Sequence, residues 1–426
     1  MTTRKTDNQT RRLDAQGQSW DDLAVQLSLR RNEYDDLAWN DLRNLKASYN
    51  GGKDVASVAW EAYTLYQGDN FLYGTSLYPS LASIADDVTG MVRGLLNAPD
   101  DATGTVTIGG TESIILAVRA ALNWSRENRP VPGVPEIVAP HTAHAAFTKA
   151  AELMGAKVVR VPIRDYRADP NAMAAEIGEN TIMLVGSAFA YPFGFVDPIE
   201  QLSDLAQEHD LWLHVDSCIG GFFLPFAAQL GHPVPAFDFS LPGVRSISAD
   251  LHKYAYSARG ASTLTLRDQE LSRFQGFEFG DWPTGTFNTP TIAGSRPAGA
   301  VVSAWAVMNY MGVNGYSDRV AKIVNARERL IAALDTTEEF APCGRPQGSV
   351  LGICARTDID MVAVRDGMSE RGWHTAALID PPGLQVLLNY RHGEIIDEFV
   401  GDLVDVARLV RSGVITRSGS DQSYGV

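Results

Sequence analysis

Hydrophobic and polar residues follow two rhythms along this chain. Leu81, Ile84, Val88, Met91, Val92 and Leu95 recur at helical spacing, so 80–96 is predicted to be an amphipathic helix. Residues 55–66 read as a helix. So do 19–45, where Leu23, Leu27, Leu37 and Leu42 keep an irregular helical spacing, with Gly51 and Gly52 as punctuation after them. From about Thr105 the rhythm changes. Short apolar runs at 136–139, 157–161, 181–186, 211–215, 244–248 and 262–266 have the length of strands. Helical stretches such as 143–154 and 198–209 fit between them. Such alternation predicts an α/β fold with a mostly parallel sheet. A long helical segment from Ala300 leads to a smaller unit, with strands at 349–355 and 383–389 around a helix at 360–371.

Composition narrows the class. A chain of 426 residues can hold two or three domains with a large core. A formal charge of −15 and an isoelectric point near 5.0 make nucleic-acid phosphate a poor partner. Cys218, Cys343 and Cys354 give no disulfide framework and no metal spacing, which suits a reducing compartment. No apolar run reaches 18 residues, and the opening 17 residues lack the apolar core of a signal peptide. They read as an arm, disordered or docked on a partner, and the chain as cytoplasmic.

The candidate chemistry sits where two apolar runs end. The run 211–215 stops at Asp216, and the run 244–249 is followed by Asp250, His252 and Lys253. In open α/β sheets, functional groups collect beyond the carboxyl ends of strands. One cleft could therefore receive an acid and a lysine. That pair suits pyridoxal phosphate (PLP): the lysine holds the aldehyde, and the acid keeps the pyridine nitrogen protonated so that the ring draws electrons. Each residue alone also has a bland reading, as a solvated lysine or a turn-forming aspartate. Upstream, Gly109-Gly110-Thr111 opens a helix with Ile114, Ile115, Val118 and Leu122 on its apolar face. Glycines allow close backbone approach, and a helix N-terminus offers free N–H groups to an anion.

Taken in order, His-Val-Asp, Gly-Gly and Ser-x-Ser-x-Asp-x-His-Lys resemble fold-type I PLP enzymes of the group II decarboxylase superfamily, and most of all the sphingosine-1-phosphate lyases. Asp216 matches their pyridinium acid, with Ser217 where Ala is usual. His252 matches a phosphate-binding residue, and Ser248 is a second candidate for that anchor. Gly110 and Thr111 fall in the family's Ser-Gly-Gly-Thr-Glu-Ser cradle, with Ile108 replacing the first Ser. His144 falls in the family's Ala-His-Ala-Ala-Phe element, whose imidazole stacks on the ring. Tyr191 lies in a loop that lines the site and is a candidate acid or base. Arg259 stands where the lyases carry a second lysine, and arginine grips phosphate as a fork. Ala293-Gly294-Ser295-Arg296-Pro297 resembles a lyase loop that crosses the dimer interface, where Ser295 would reach the partner's cofactor phosphate. Tyr49 matches a pocket tyrosine. The lyases' Asn-Pro-x-His element before Tyr78-Pro79 is missing.

The resemblance implies a seven-stranded mixed sheet, an N-terminal helical segment and a small C-terminal α/β domain. The boundaries expected are 1–60 for the arm and first helices, 61–305 for the large PLP-binding domain and 306–426 for the small domain. It also implies a homodimer with shared active sites. The implied reaction is retro-aldol cleavage of a phosphorylated long-chain base to a fatty aldehyde and ethanolamine phosphate. Two alternatives stay open: α-decarboxylation of an amino acid with the same Lys253, Asp216 and His144, and a PLP-fold protein that binds without turnover.

Overall fold

A computed structural model describes residues 13, 15–35, 42–46, 49–74 and 76–417. By internal contact the chain forms two compact units, Met1–Asp41 and Leu42–Val426. In the first, helix α1 (Trp20–Tyr34) begins at Ser19, whose hydroxyl accepts the Asp22 N–H, and closes at Asp35. The helix expected over 19–45 is therefore shorter. Asn44 instead makes a β-bridge to His374, and the Leu45 N–H reaches the His374 carbonyl at 2.9 Å. Residues 1–12 of the expected arm, and Leu37, lie outside the described residues.

The larger unit is built on seven strands: β1 (Thr103–Thr107), β2 (Glu136–Pro140), β3 (Lys157–Val161), β4 (Thr181–Ser187), β5 (Trp212–Asp216), β6 (Val244–Asp250) and β7 (Ser262–Leu266). Their order is β1-β7-β6-β5-β4-β2-β3. The pairs from β3 to β6 are parallel, and β7 runs antiparallel to both β6 and β1. Every residue of β4 and β5 is buried, as parallel strands covered on both faces must be. Helix α2 (Lys53–Leu65) and helix α3 (Pro79–Leu95) precede the sheet. The second has Pro79 at its start and buries Leu81, Val88 and Val92. Helix α4 (Gly110–Asn128) follows β1, and α5 (Ala146–Met154) follows β2. The latter ends on Gly155 at φ 70°, a left-handed cap that suits glycine.

A 37-residue helix, α6 (Gly299–Asp335), changes backbone direction at Gly312, where φ is 54°. Four antiparallel strands follow: β8 (Phe340–Pro342), β9 (Val350–Ala355), β10 (Ala376–Ile379) and β11 (Pro382–Leu387), in the order β8-β9-β11-β10. One expectation fails here. Cys343 and Cys354 are joined as a disulfide, S–S 1.98 Å, across the β8–β9 pairing. Antiparallel pairing brought together two residues whose 11-residue spacing alone suggests no framework. The thiol of Cys218 is free and buried.

Two fully buried histidines give the fold a pH dependence. Burial pushes both His214 and His392 down to about 4 from an ordinary 6.5. Folded protein then binds fewer protons, so this stability is present above pH 6.5 and lost as pH falls toward 4, roughly 3 kcal/mol each. Asp197 opposes them. It accepts the N–H groups of Ala168 and Ser187, both at 2.8 Å, and burial raises it to about 6. Its contribution is therefore lost as pH rises through about 6. Two histidines outweigh one aspartate. Denaturant unfolding at pH 7 and pH 4 should show a net loss on acidification; equal stability at both would contradict neutral burial of these rings.

Candidate active site

Register places the functional groups. In the parallel ladder, Ser187 pairs with Asp216 and Asp216 with Ser248, so three strands end together. Beyond this edge opens a cavity of about 690 Å³. Tyr49, Gly110, Thr111, His144, Tyr191, Asp216, His252, Lys253 and Arg259 all line it. Nine residues picked from separate stretches of sequence therefore meet in one place.

Asp216 is 9% exposed. Its Oδ1 accepts the Cys218 N–H at 3.1 Å and the Ser248 hydroxyl at 3.2 Å. Oδ2 takes no hydrogen bond among the described residues, leaving a carboxylate oxygen open to the cavity. Ser248 itself is fully buried beneath Asp216 and does not line the cavity, so its place is behind the carboxylate and not at an anion. Ser217 also turns away, with its hydroxyl on the Ala188 carbonyl at 2.6 Å.

Lys253 reaches Asp250 at 2.8 Å. Burial works to lower the lysine, but the Asp250 carboxylate wins and holds it well above its ordinary value. Burial likewise works to raise Asp250, yet Lys253 and His252 hold it below the usual carboxylate range. His144 Nδ1 accepts the Ala146 N–H at 3.1 Å, which puts its proton on Nε2 and fixes the ring. Burial lowers both His144 and His252, so both imidazoles are neutral at pH 7.

Beside Asp250, the start of helix α4 forms an anion cradle. The N–H groups of Gly110 and Thr111, first in helix α4, have no backbone acceptor among the described residues. A Cβ on Gly110 would stand 2.8 Å from Asp250 Oδ1 and 2.8 Å from Cys218 Sγ, so only glycine fits there. His252 Nδ1 and the Thr142 hydroxyl are buried without a hydrogen-bond partner. Unpaired buried polar atoms are costly and point to a missing partner. With the Asp216 oxygen and the Lys253 amine, these groups fit the phosphate, ring nitrogen and aldehyde of PLP.

Tyr49 stacks edge-on against Tyr254 with ring centroids 5.1 Å apart. Tyr254 is buried and hydrogen-bonds the Leu388 carbonyl at 2.7 Å, tying the lysine turn to the C-terminal part. The Tyr191 carbonyl accepts the Gln385 side chain at 2.7 Å, so the same part also holds this loop. Arg259 is exposed at the cavity and makes no ion pair among the described residues. Ser295 lies outside the cavity of its own chain, exposed and bonded to the Asn70 side chain at 2.9 Å. Sequence reasoning missed Asp250, Thr142, Cys218 and Glu112 as site residues. Glu112 accepts the N–H groups of Ile108, Ile292 and Ala293 at 2.8–3.0 Å, pinning the loop before Ser295 to the cradle. Its signal was a glutamate in the first helical turn, able to reach back to free N–H groups.

Fold and site together define a fold-type I PLP-dependent enzyme. A family model, the pyridoxal-dependent decarboxylase conserved domain, matches residues 17–355. The chain belongs to this family and is a sphingosine-1-phosphate lyase-like member of it. It is 36% identical over 395 residues to the sphingosine-1-phosphate lyase of Dictyostelium discoideum, covering 92% of this chain and 74% of that one. A solved Burkholderia pseudomallei sphingosine-1-phosphate lyase is 33% identical with a TM-score of 0.89, covering 96% of this chain and 95% of that one. A probable L-tyrosine/L-aspartate decarboxylase of Methanocella arvoryzae is also similar, at 36% over 352 residues, 82% of this chain and 90% of that one. The chemistry is thus PLP-dependent lyase or decarboxylase chemistry on an amine substrate.

Proposed function

We propose that this protein binds PLP and cleaves a phosphorylated long-chain base, of the sphingosine-1-phosphate kind, to a fatty aldehyde and ethanolamine phosphate. The observation that carries this reading is Arg259, a cation on the cavity with no ion-pair partner among the described residues. A phosphorylated amine needs such a group away from the ring. Ile108, Ile115, Phe189, Ile219 and Ile292 supply apolar wall for a hydrocarbon chain. When bound, PLP supplies a sink for the electron pair left by bond cleavage.

Lys253 would hold the cofactor aldehyde, and Asp216 Oδ2 would hold the proton at the ring nitrogen. His144 would cover the ring, with its proton on Nε2. Tyr191 Oη or Lys253 Nζ takes the substrate hydroxyl proton as the adjacent carbon–carbon bond breaks. That oxygen becomes the aldehyde carbonyl, and the amine-bearing carbon is later reprotonated. The second reading, α-decarboxylation, draws on the Methanocella relative and needs the same residues.

Losing a charged partner from such a site costs about 2–5 kcal/mol. Arg259→Ala should therefore raise KM for a phosphorylated base tens-fold or more and change an unphosphorylated amine far less. Equal effects on both would remove Arg259 from phosphate recognition.

The proposal includes a homodimer with shared sites. No helix of the described residues is long and apolar enough to cross a membrane. Ser295 stands outside its own cavity, and Phe277, Phe279, Trp282 and Ile292 expose apolar surface on the same segment. Sedimentation should show a dimer, and Ser295→Ala should lose PLP faster on dilution. A fully active monomer would contradict both.

A further inference from the structure

Behind Asp216 runs a file of hydrogen bonds that the reacting groups do not touch. Trp212 Nε1 donates to Ser246 Oγ at 2.8 Å. Ser246 Oγ meets His214 Nδ1 at 2.8 Å, and His214 Nε2 meets Ser248 Oγ at 3.2 Å. Ser248 Oγ then donates to Asp216 Oδ1 at 3.2 Å. Trp212, His214, Ser246 and Ser248 are all fully buried. The strands explain the alignment. Trp212, His214 and Asp216 alternate onto one face of β5, and parallel register sets Ser246 beside His214 and Ser248 beside Asp216.

The carboxylate end fixes the direction. A carboxylate only accepts, and each serine has one proton to give. The Ser248 proton goes to Asp216, so Ser248 Oγ accepts both the Cys218 thiol at 3.3 Å and a proton on His214 Nε2. A proton on Nε2 leaves Nδ1 to accept from Ser246, which itself accepts the Trp212 indole N–H. Burial keeps the ring neutral, at about 4, as the file requires, and Phe147 packs against it edge-on with centroids 5.7 Å apart. The Asp216 charge bears on His144, Asp197, His214 and Cys218.

We propose that Trp212, Ser246, His214 and Ser248 are positioning residues: a one-way file that locks His214 with its proton on Nε2 and delivers a donor to Asp216 Oδ1, leaving Oδ2 for the ring nitrogen. No proton is transferred along it. The second half rests on the reading of Asp216 as the ring-nitrogen partner; the locked tautomer does not.

The test has two arms. In cofactor-free protein labelled with 15N-histidine, NMR should show His214 with a bare Nδ1 and a protonated Nε2, assigned by its loss in His214→Asn. Trp212→Phe removes the starting donor, and Ser246→Ala breaks the same link with a smaller change. Either should give mixed tautomers in folded protein. A proton on Nδ1 in the wild type, or an unchanged tautomer in both variants, overturns the file. In protein reloaded with ring-15N-labelled PLP, the ring nitrogen should read as protonated and shift toward the unprotonated position in Ser248→Ala, without loss of fold. An unchanged signal in that variant overturns the claim that the file serves Asp216. An unprotonated nitrogen in the wild type instead sinks the reading of Asp216, while the tautomer result stands on its own.

Discussion

Lys253→Ala protein should be colourless and should lose turnover by about four orders of magnitude or more, roughly 5 kcal/mol of transition-state stabilisation. Lys253 is the only lysine lining the cavity among the described residues, and its amine is already drawn to a fixed point by Asp250 at 2.8 Å. Wild-type protein should carry a visible absorbance band, and borohydride should fix the cofactor to the peptide containing Lys253. A variant that keeps both colour and activity would place the anchor elsewhere.

Asp216→Asn should fold normally and lose turnover by a few orders of magnitude, comparable to about 3–5 kcal/mol. Its amide oxygen can still accept from Cys218 and Ser248, so the local bonds that now reach Oδ1 survive. What disappears is the charge that keeps the ring nitrogen protonated. Steady-state kinetics with matched circular dichroism separates the two effects. Near-normal turnover in a folded variant would assign the sink to another residue.

Much of this site was legible because of where strands stop. Apolar runs marked β4, β5 and β6 within a residue or two, and Asp216 and Lys253 followed from the run ends. Strand β1 was harder, since Thr-Gly-Thr-Val-Thr at a sheet edge carries little apolar signal. Ser248 looked like a phosphate anchor from its motif. Only the parallel register shows it beneath Asp216. The Cys343–Cys354 bond depended on a β-pairing in the C-terminal part, which spacing could not announce. Asp250 was in plain view within the lysine motif, but its ion pair requires the turn between them, which no periodicity encodes. Where tertiary pairing decides a role, local pattern is silent.

The central claim is cleavage of a phosphorylated long-chain base. PLP-loaded protein should be given a phosphorylated sphingoid base and, separately, a panel of amino acids that includes tyrosine and aspartate. Release of fatty aldehyde and ethanolamine phosphate from the base, with no carbon dioxide from the amino acids, is the predicted result. Carbon dioxide from an amino acid while the phosphorylated base stays intact would contradict it and make the protein a decarboxylase.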